Sequence, residues 1–172
     1  MSDRFFIDAE TDGLYGRFLT TAVLIVDETG REKDHLYVGI PFTAENLEDE
    51  WTRNHIPQVA GQYQCMHSEE ELLNCIWKFW LKYRGTCVCI ADVNFPVECR
   101  LFEKCVEKDI ADREFLAPFP LMDLSSMLFA KGIDPLTARR QLTGEAFKKG
   151  HNALEDVRIA SEIFDRFINN GR

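Results

Sequence analysis

Three runs of strand character, residues 4–8, 20–27 and 33–40, follow one another before any helical period appears, and this order constrains the fold more than any other feature. The turn Glu28-Thr29-Gly30-Arg31 separates the second run from the third, so the early strands form an antiparallel meander. Residues 41–66 carry Pro41, Pro57 and Gly61 and read as a long irregular connection with a helical turn near 43–51. The capping box Ser68-Glu69-Glu70-Glu71 then opens a helix, in which Leu72, Leu73, Ile76, Phe79, Trp80 and Tyr83 recur at helical spacing up to Gly85. A β-rich run over 86–91 ends in Asp92, and a helix over 96–108 follows with Pro96 in its first turn. A short strand at 119–122 leads to a helix capped by Asp123, which runs to Ala130 and stops at Gly132. A further short helix follows Pro135. The last helix carries a core-facing stripe of Ala153, Val157, Ala160, Phe164 and Phe167.

The order βββαβαβα predicts an α/β fold with a mixed central sheet, three antiparallel strands first and parallel strands added by right-handed crossovers, flanked by helices. That is the ribonuclease H-like topology, in which the first strand is central. A chain of 172 residues with 45% hydrophobic content can bury one good core, and no Pro/Gly/Ser-rich linker interrupts it, so residues 1–172 read as a single domain. The apolar runs fall short of the roughly 20 residues a membrane span needs, and Met-Ser-Asp-Arg opens the chain without a signal-peptide core. A cytoplasmic location away from membranes is expected. The six cysteines form no Cys-x-x-Cys pair and read as reduced and mostly buried, with Cys87 and Cys89 on one face of a strand. A net charge of −9 argues against wrapping duplex nucleic acid on a broad basic surface, but leaves room for an enzyme holding the last few nucleotides of a strand.

Asp8 and Glu10 close the first strand two residues apart and therefore project from one face. Adjacent carboxylates repel unless a cation lies between them, and hard oxygen ligands with open water positions suit Mg²⁺ or Mn²⁺. Asp92, after the fourth strand, and Asp156, early in the last helix, bring the acidic groups at element ends to four. His151 and Asp156 are five residues apart, about 140° on an ideal helix, so His151 is expected in the loop before it. Four carboxylates of this kind can hold two divalent ions roughly 4 Å apart for phosphodiester hydrolysis. A histidine of near-neutral pKa suits the general base.

The chain resembles the DEDD exonucleases, in the subgroup bearing a histidine (DEDDh). The resemblance rests on Phe6-Ile7-Asp8-Ala9-Glu10-Thr11-Asp12-Gly13-Leu14, on Ile90-Ala91-Asp92-Val93-Asn94-Phe95-Pro96-Val97-Glu98, and on Gly150-His151-Asn152-Ala153-Leu154-Glu155-Asp156. It implies a metal-dependent 3′ to 5′ exonuclease that binds single-stranded 3′ ends, RNA slightly favoured over DNA, and releases nucleoside 5′-monophosphates. It also implies that Leu14 wedges against the terminal base, with Thr11 and Gly13 lining the same pocket. The second block departs from the family pattern, where a His-Asn pair is followed four residues later by the metal-binding aspartate, because Pro96 occupies that place. Asp92 is the first choice for the missing ligand and Glu98 the reserve.

Less specific features complete the reading. Asp123 is explained as a helix cap, and Trp77 and Trp80 as core, whereas Trp51 is free to stack on a base. Arg139, Arg140, Lys148 and Lys149 form the one basic concentration, able to touch the backbone of an incoming strand. The 41–66 segment can support a homodimer. The competing function is a catalytically silent module of the same fold that binds nucleic acid or a protein partner.

Overall fold

The computed structural model describes residues 2–144 and 150–169. Six strands form one sheet in the order β4-β3-β2-β1-β5-β6. Strands β1 (Asp3–Thr11), β2 (Phe18–Val26) and β3 (Glu32–Gly39) are successively antiparallel, whereas β5 (Cys87–Ala91) runs parallel to β1 and β6 (Leu121–Asp123) parallel to β5. The topology expected from the sequence is therefore present, with β1 between its antiparallel and parallel halves. The two-residue strand β4 (Gln64–Cys65), parallel to β3 at the sheet edge, was not expected. It consists of two exposed residues held by register with Val38 and Gly39, so no apolar alternation announces it.

Alternation along β1 assigns its two faces. Phe5, Ile7 and Ala9 join the core beneath α2 (Glu69–Tyr83) and α3 (Val97–Glu107), against Leu72, Ile76, Trp80 and Leu101. Phe6 joins the opposite core with Ala22, Leu24, Leu124 of α5 (Leu124–Ala130), and Val157 and Ala160 of α7 (Ala153–Ile163). Asp8 and Glu10 follow Phe6 in this alternation and thus face α7, beyond the end of that core. Phe5 is fully buried and packs edge-on against Trp80 at 5.2 Å, an anchor whose truncation to Ala would cost about 3–5 kcal/mol.

Helix starts follow local chemistry. Ser68 accepts from Glu71 N at 3.2 Å, Asp123 from Ser126 N at 2.6 Å, and Asn152 from Glu155 N at 3.1 Å. Trp77 and Trp80 are core residues as expected. The irregular connection is more ordered than its sequence suggests. It holds a 3₁₀ turn at Ala44–Asn46, helix α1 (Glu50–His55) rather than a turn ending at Trp51, and a second 3₁₀ turn at Ile56–Gln58. Short helices α4 (Ile110–Arg113) and α6 (Arg139–Thr143) complete the order. All six cysteines are free. Only Cys89 and Cys105 are buried, whereas Cys75, Cys87 and Cys99 are partly buried and Cys65 is exposed, so the expectation of mostly buried thiols fails. No helix among the described residues is long and apolar enough to cross a membrane.

Candidate active site

The parallel register Ile7↔Ala91 and Ala91↔Asp123 brings the C-terminal ends of β1, β5 and β6 side by side. Near this edge lies a cleft of about 940 Å³, lined by Asp8, Glu10 and Asp156 and by Leu14, His55, Val59, Phe95, Glu98, Arg139, Arg140 and His151 among others. Carboxylate oxygens of Asp8, Glu10 and Asp156 lie within 4.8 Å of one another. Asp8 and Glu10 arrive from the strand, Asp156 from the first turn of α7.

The two second-block acids lie outside that group of three and have different surroundings. Both carboxylate oxygens of Asp92 accept from Arg139 Nε, at 2.7 and 2.9 Å. Arg139 also donates to the carbonyls of Pro135 and Thr137 and to Ser125 Oγ. Glu98, by contrast, is buried in the first turn of α3 and accepts from Ala9 N at 3.1 Å, between the two acids of the first motif. The partner that claims Asp92 lies 47 residues downstream, so nothing local in the sequence marks it.

Electrostatics sets these groups apart from ordinary carboxylates. Burial pushes Asp8 well above the usual carboxylate range, and the charges of Glu10, Glu98, Asp156 and Asp92 push it further. Burial, then Asp156, raises Glu10 to about 8; Glu98 also reaches about 8 through burial, despite the bond from Ala9. Asp156 rises to about 7, where burial outweighs the backbone N–H groups of His151 and Asn152 and the charge of Arg140. Burial raises Asp92 as well, with Arg139 opposing. Among the described residues, Asp8, Glu10 and Glu98 take part in no ion pair. Close, desolvated carboxylates without a counter-charge can relax by taking up protons or by holding a cation, and their all-oxygen donor set suits Mg²⁺ or Mn²⁺.

His151 lies in the loop before α7, as its spacing requires, with φ 62° and an exposed side chain lining the same cleft. Its ring meets Trp51 edge-on at 4.8 Å, and Trp51 stacks on His55 at 4.5 Å. Burial, His55 and Arg140 lower its pKa, so the neutral imidazole is favoured near pH 7. Asn152 fastens this loop by donating to the carbonyls of Val59 and Ala60.

Leu14 is 62% exposed and lines the cleft, whereas Thr11 and Gly13 do not line it. Thr52 Oγ1 donates to the carbonyl of Thr11 and accepts from Gly13 N at 3.0 Å. Gly13 has φ 71°, a backbone conformation that suits glycine. The buried carboxylate of Asp12, which sequence reasoning passed over, accepts from the backbone N–H of Glu48 and Asp49. It ties the motif loop to the start of α1. Lys148 and Lys149 fall outside the described residues.

Comparison with known proteins gives the fold an independent reference. No family model and no curated protein matches the chain. Among solved structures, it is similar to the zinc-bound form of the E. coli ExoI–ssDNA complex, with a TM-score of 0.70 at 13% identity over 100% of this chain and 41% of that one. E. coli Exonuclease I in complex with a dA16 oligonucleotide aligns with a TM-score of 0.69 at 13% identity, over 99% and 42% of the two chains. Exonuclease I from Methylocaldum szegediense aligns with a TM-score of 0.63 at 15% identity, over 96% and 41%. The chain thus spans about two fifths of the length of these neighbours and shares the fold of that part.

Proposed function

We propose that this protein is a metal-dependent 3′ to 5′ exonuclease acting on single-stranded nucleic acid. The observation that carries the reading is the convergence of Asp8, Glu10 and Asp156 in the cleft, with Glu98 buried beside Ala9 and none of Asp8, Glu10 and Glu98 in an ion pair among the described residues. Asp8, Glu10, Glu98 and Asp156 are the proposed ligand set, Glu98 taking the place first given to Asp92. Divalent ions such as Mg²⁺ or Mn²⁺ held there would supply the Lewis acidity that activates a water and neutralises a leaving 3′ oxygen.

The remaining roles belong to side chains of the cleft. His151, favoured in its neutral form, accepts the proton of the attacking water as its oxygen bonds to phosphorus. The bond from phosphorus to the 3′ oxygen of the preceding nucleotide breaks and that oxygen takes up a proton from solvent water, releasing a nucleoside 5′-monophosphate and a shortened strand with a new 3′-hydroxyl. Leu14, exposed on the wall, packs against the terminal base, and the loop carrying Thr11 and Gly13 holds it there. Single-stranded DNA is the favoured substrate rather than RNA, because similar folds have been solved with ssDNA and with a dA16 oligonucleotide.

The test is a gel time course of a 5′-labelled strand, as DNA and as RNA, with Mn²⁺ and with EDTA. A ladder shortening one nucleotide at a time, and only with metal, is expected. Intact strands in every lane would leave the silent binding module as the better account.

A further inference from the structure

Arg139 and Arg140 are adjacent in sequence and line the same cleft, yet their surroundings differ. Arg139 is committed to Asp92, Ser125 and two carbonyls, and it holds the segment before α6 against the end of β5. Arg140 is exposed, and its guanidinium makes no hydrogen bond or ion pair with any described residue, although carboxylates dominate the cleft. A Cβ placed on Gly150 would come within 2.8 Å of Arg140 Nη2, which fixes where that guanidinium lies: against the turn immediately before His151. Its charge is felt at both His151 and Asp156. The side chain thus stands beside the proposed general base and one proposed ligand, with donors free.

We infer that Arg140 binds a phosphodiester oxygen of the 3′-terminal nucleotide, and that the glycine at 150 leaves room for its guanidinium to do so. The inference rests on the exonuclease reading. A planar guanidinium offers paired N–H donors to a phosphate, and Arg140, which forms no ion pair with a described residue, has none of these to break in doing so. It also explains how a chain of net charge −9 holds a polyanion: one positioned cation at the reacting end replaces a broad basic surface.

The test compares wild type, Arg140→Ala, Arg140→Lys and Gly150→Ala in steady-state hydrolysis of a single-stranded DNA oligonucleotide with Mn²⁺. Affinity is measured by anisotropy in Ca²⁺ for two strands, one with a phosphodiester and one with a neutral methylphosphonate at the last linkage. Arg140→Ala should raise KM and weaken phosphodiester binding about tenfold or more, the worth of a charge-assisted hydrogen bond, yet change methylphosphonate binding little. The slope of log affinity against log salt should fall by about 0.7. Arg140→Lys should recover part of the loss, and Gly150→Ala should reproduce it in milder form at unchanged Mn²⁺ affinity. Equal losses on both strands, or none on either, would overturn the contact. A wild type that degrades DNA no better than Arg140→Ala overturns only this role of the arginine, whereas a wild type that leaves DNA intact overturns the exonuclease reading and this inference together.

Discussion

Glu98 and Asp92 are six residues apart and have opposite prospects as metal ligands, because of what each already touches. Glu98 is buried next to the first-motif acids with one oxygen on Ala9 N, and among the described residues it forms no ion pair. Asp92 is engaged through both oxygens by Arg139. Glu98→Gln keeps the shape and the acceptor for Ala9 but removes the charge, and should lower turnover by about a hundredfold or more with little change in Tm. Asp92→Asn should do the reverse. It weakens the grip on Arg139 at a cost of about 1–3 kcal/mol, while turnover stays within severalfold of wild type. Parallel kinetics and thermal melts of the two variants would decide, and cleavage that survives Glu98→Gln but stops with Asp92→Asn would reverse the ligand assignment. Much of this site was legible in sequence. Asp8, Glu10, His151 and Asp156 were found from strand alternation, helical spacing and motif order, because each is fixed by its own element. The contact that sets Asp92 apart from Glu98 was not legible, since it comes from an arginine of another element.

At the scale of elements, the legible parts are those with local rules. Helices α2 and α5 and the meander β1–β3 carry their caps, turns and alternation in adjacent residues. The segment over 41–66 does not: its order comes from bonds to the first motif, which are contacts across 36 to 41 residues. Helix α1 therefore acts as a splint for the loop that carries Leu14. Thr52 is its pivot, donating to Thr11 and accepting from Gly13 with one hydroxyl. Thr52→Val retains the volume and removes the hydroxyl, leaving the Gly13 N–H without its acceptor. The expected cost is about 1–3 kcal/mol, a few degrees of Tm in a chain of this size. The substitution should raise KM for the oligonucleotide several-fold and leave Mn²⁺ affinity unchanged, because no carboxylate moves. A change in Mn²⁺ affinity by calorimetry would show instead that α1 also supports the metal-binding floor.

For the whole molecule, a partly buried acidic cluster makes stability depend on pH and, on the proposed reading, on metal. Asp8, Glu10, Glu98 and Asp156 all have folded-state pKa values above those of the unfolded chain, the last three reaching about 8, about 8 and about 7. Between roughly pH 4, where unfolded carboxylates titrate, and pH 8, the folded protein therefore holds protons that the unfolded chain has released. Their contribution is fully present at the acidic end of that window and is lost as pH rises through it. Asp34 and Glu69 act in the opposite sense: hydrogen bonds and lysine partners lower their pKa values, so their contribution is lost as pH falls through the acidic range. The metal-free protein should thus be most stable near pH 5, and its Tm should decline toward pH 8.5. Mn²⁺ binds the deprotonated carboxylates, so it should restore Tm most where the decline is greatest. At about a hundredfold excess over Kd the gain is about 2.7 kcal/mol. Asp8→Asn, which removes one like charge from the cluster, should flatten the metal-free decline and abolish most of the Mn²⁺ response. Thermal melts from pH 5 to pH 9 with EDTA and with Mn²⁺ measure all three effects. A metal-free Tm that does not fall across that range would mean that these carboxylates titrate normally, and the electrostatic basis for a metal site would be lost.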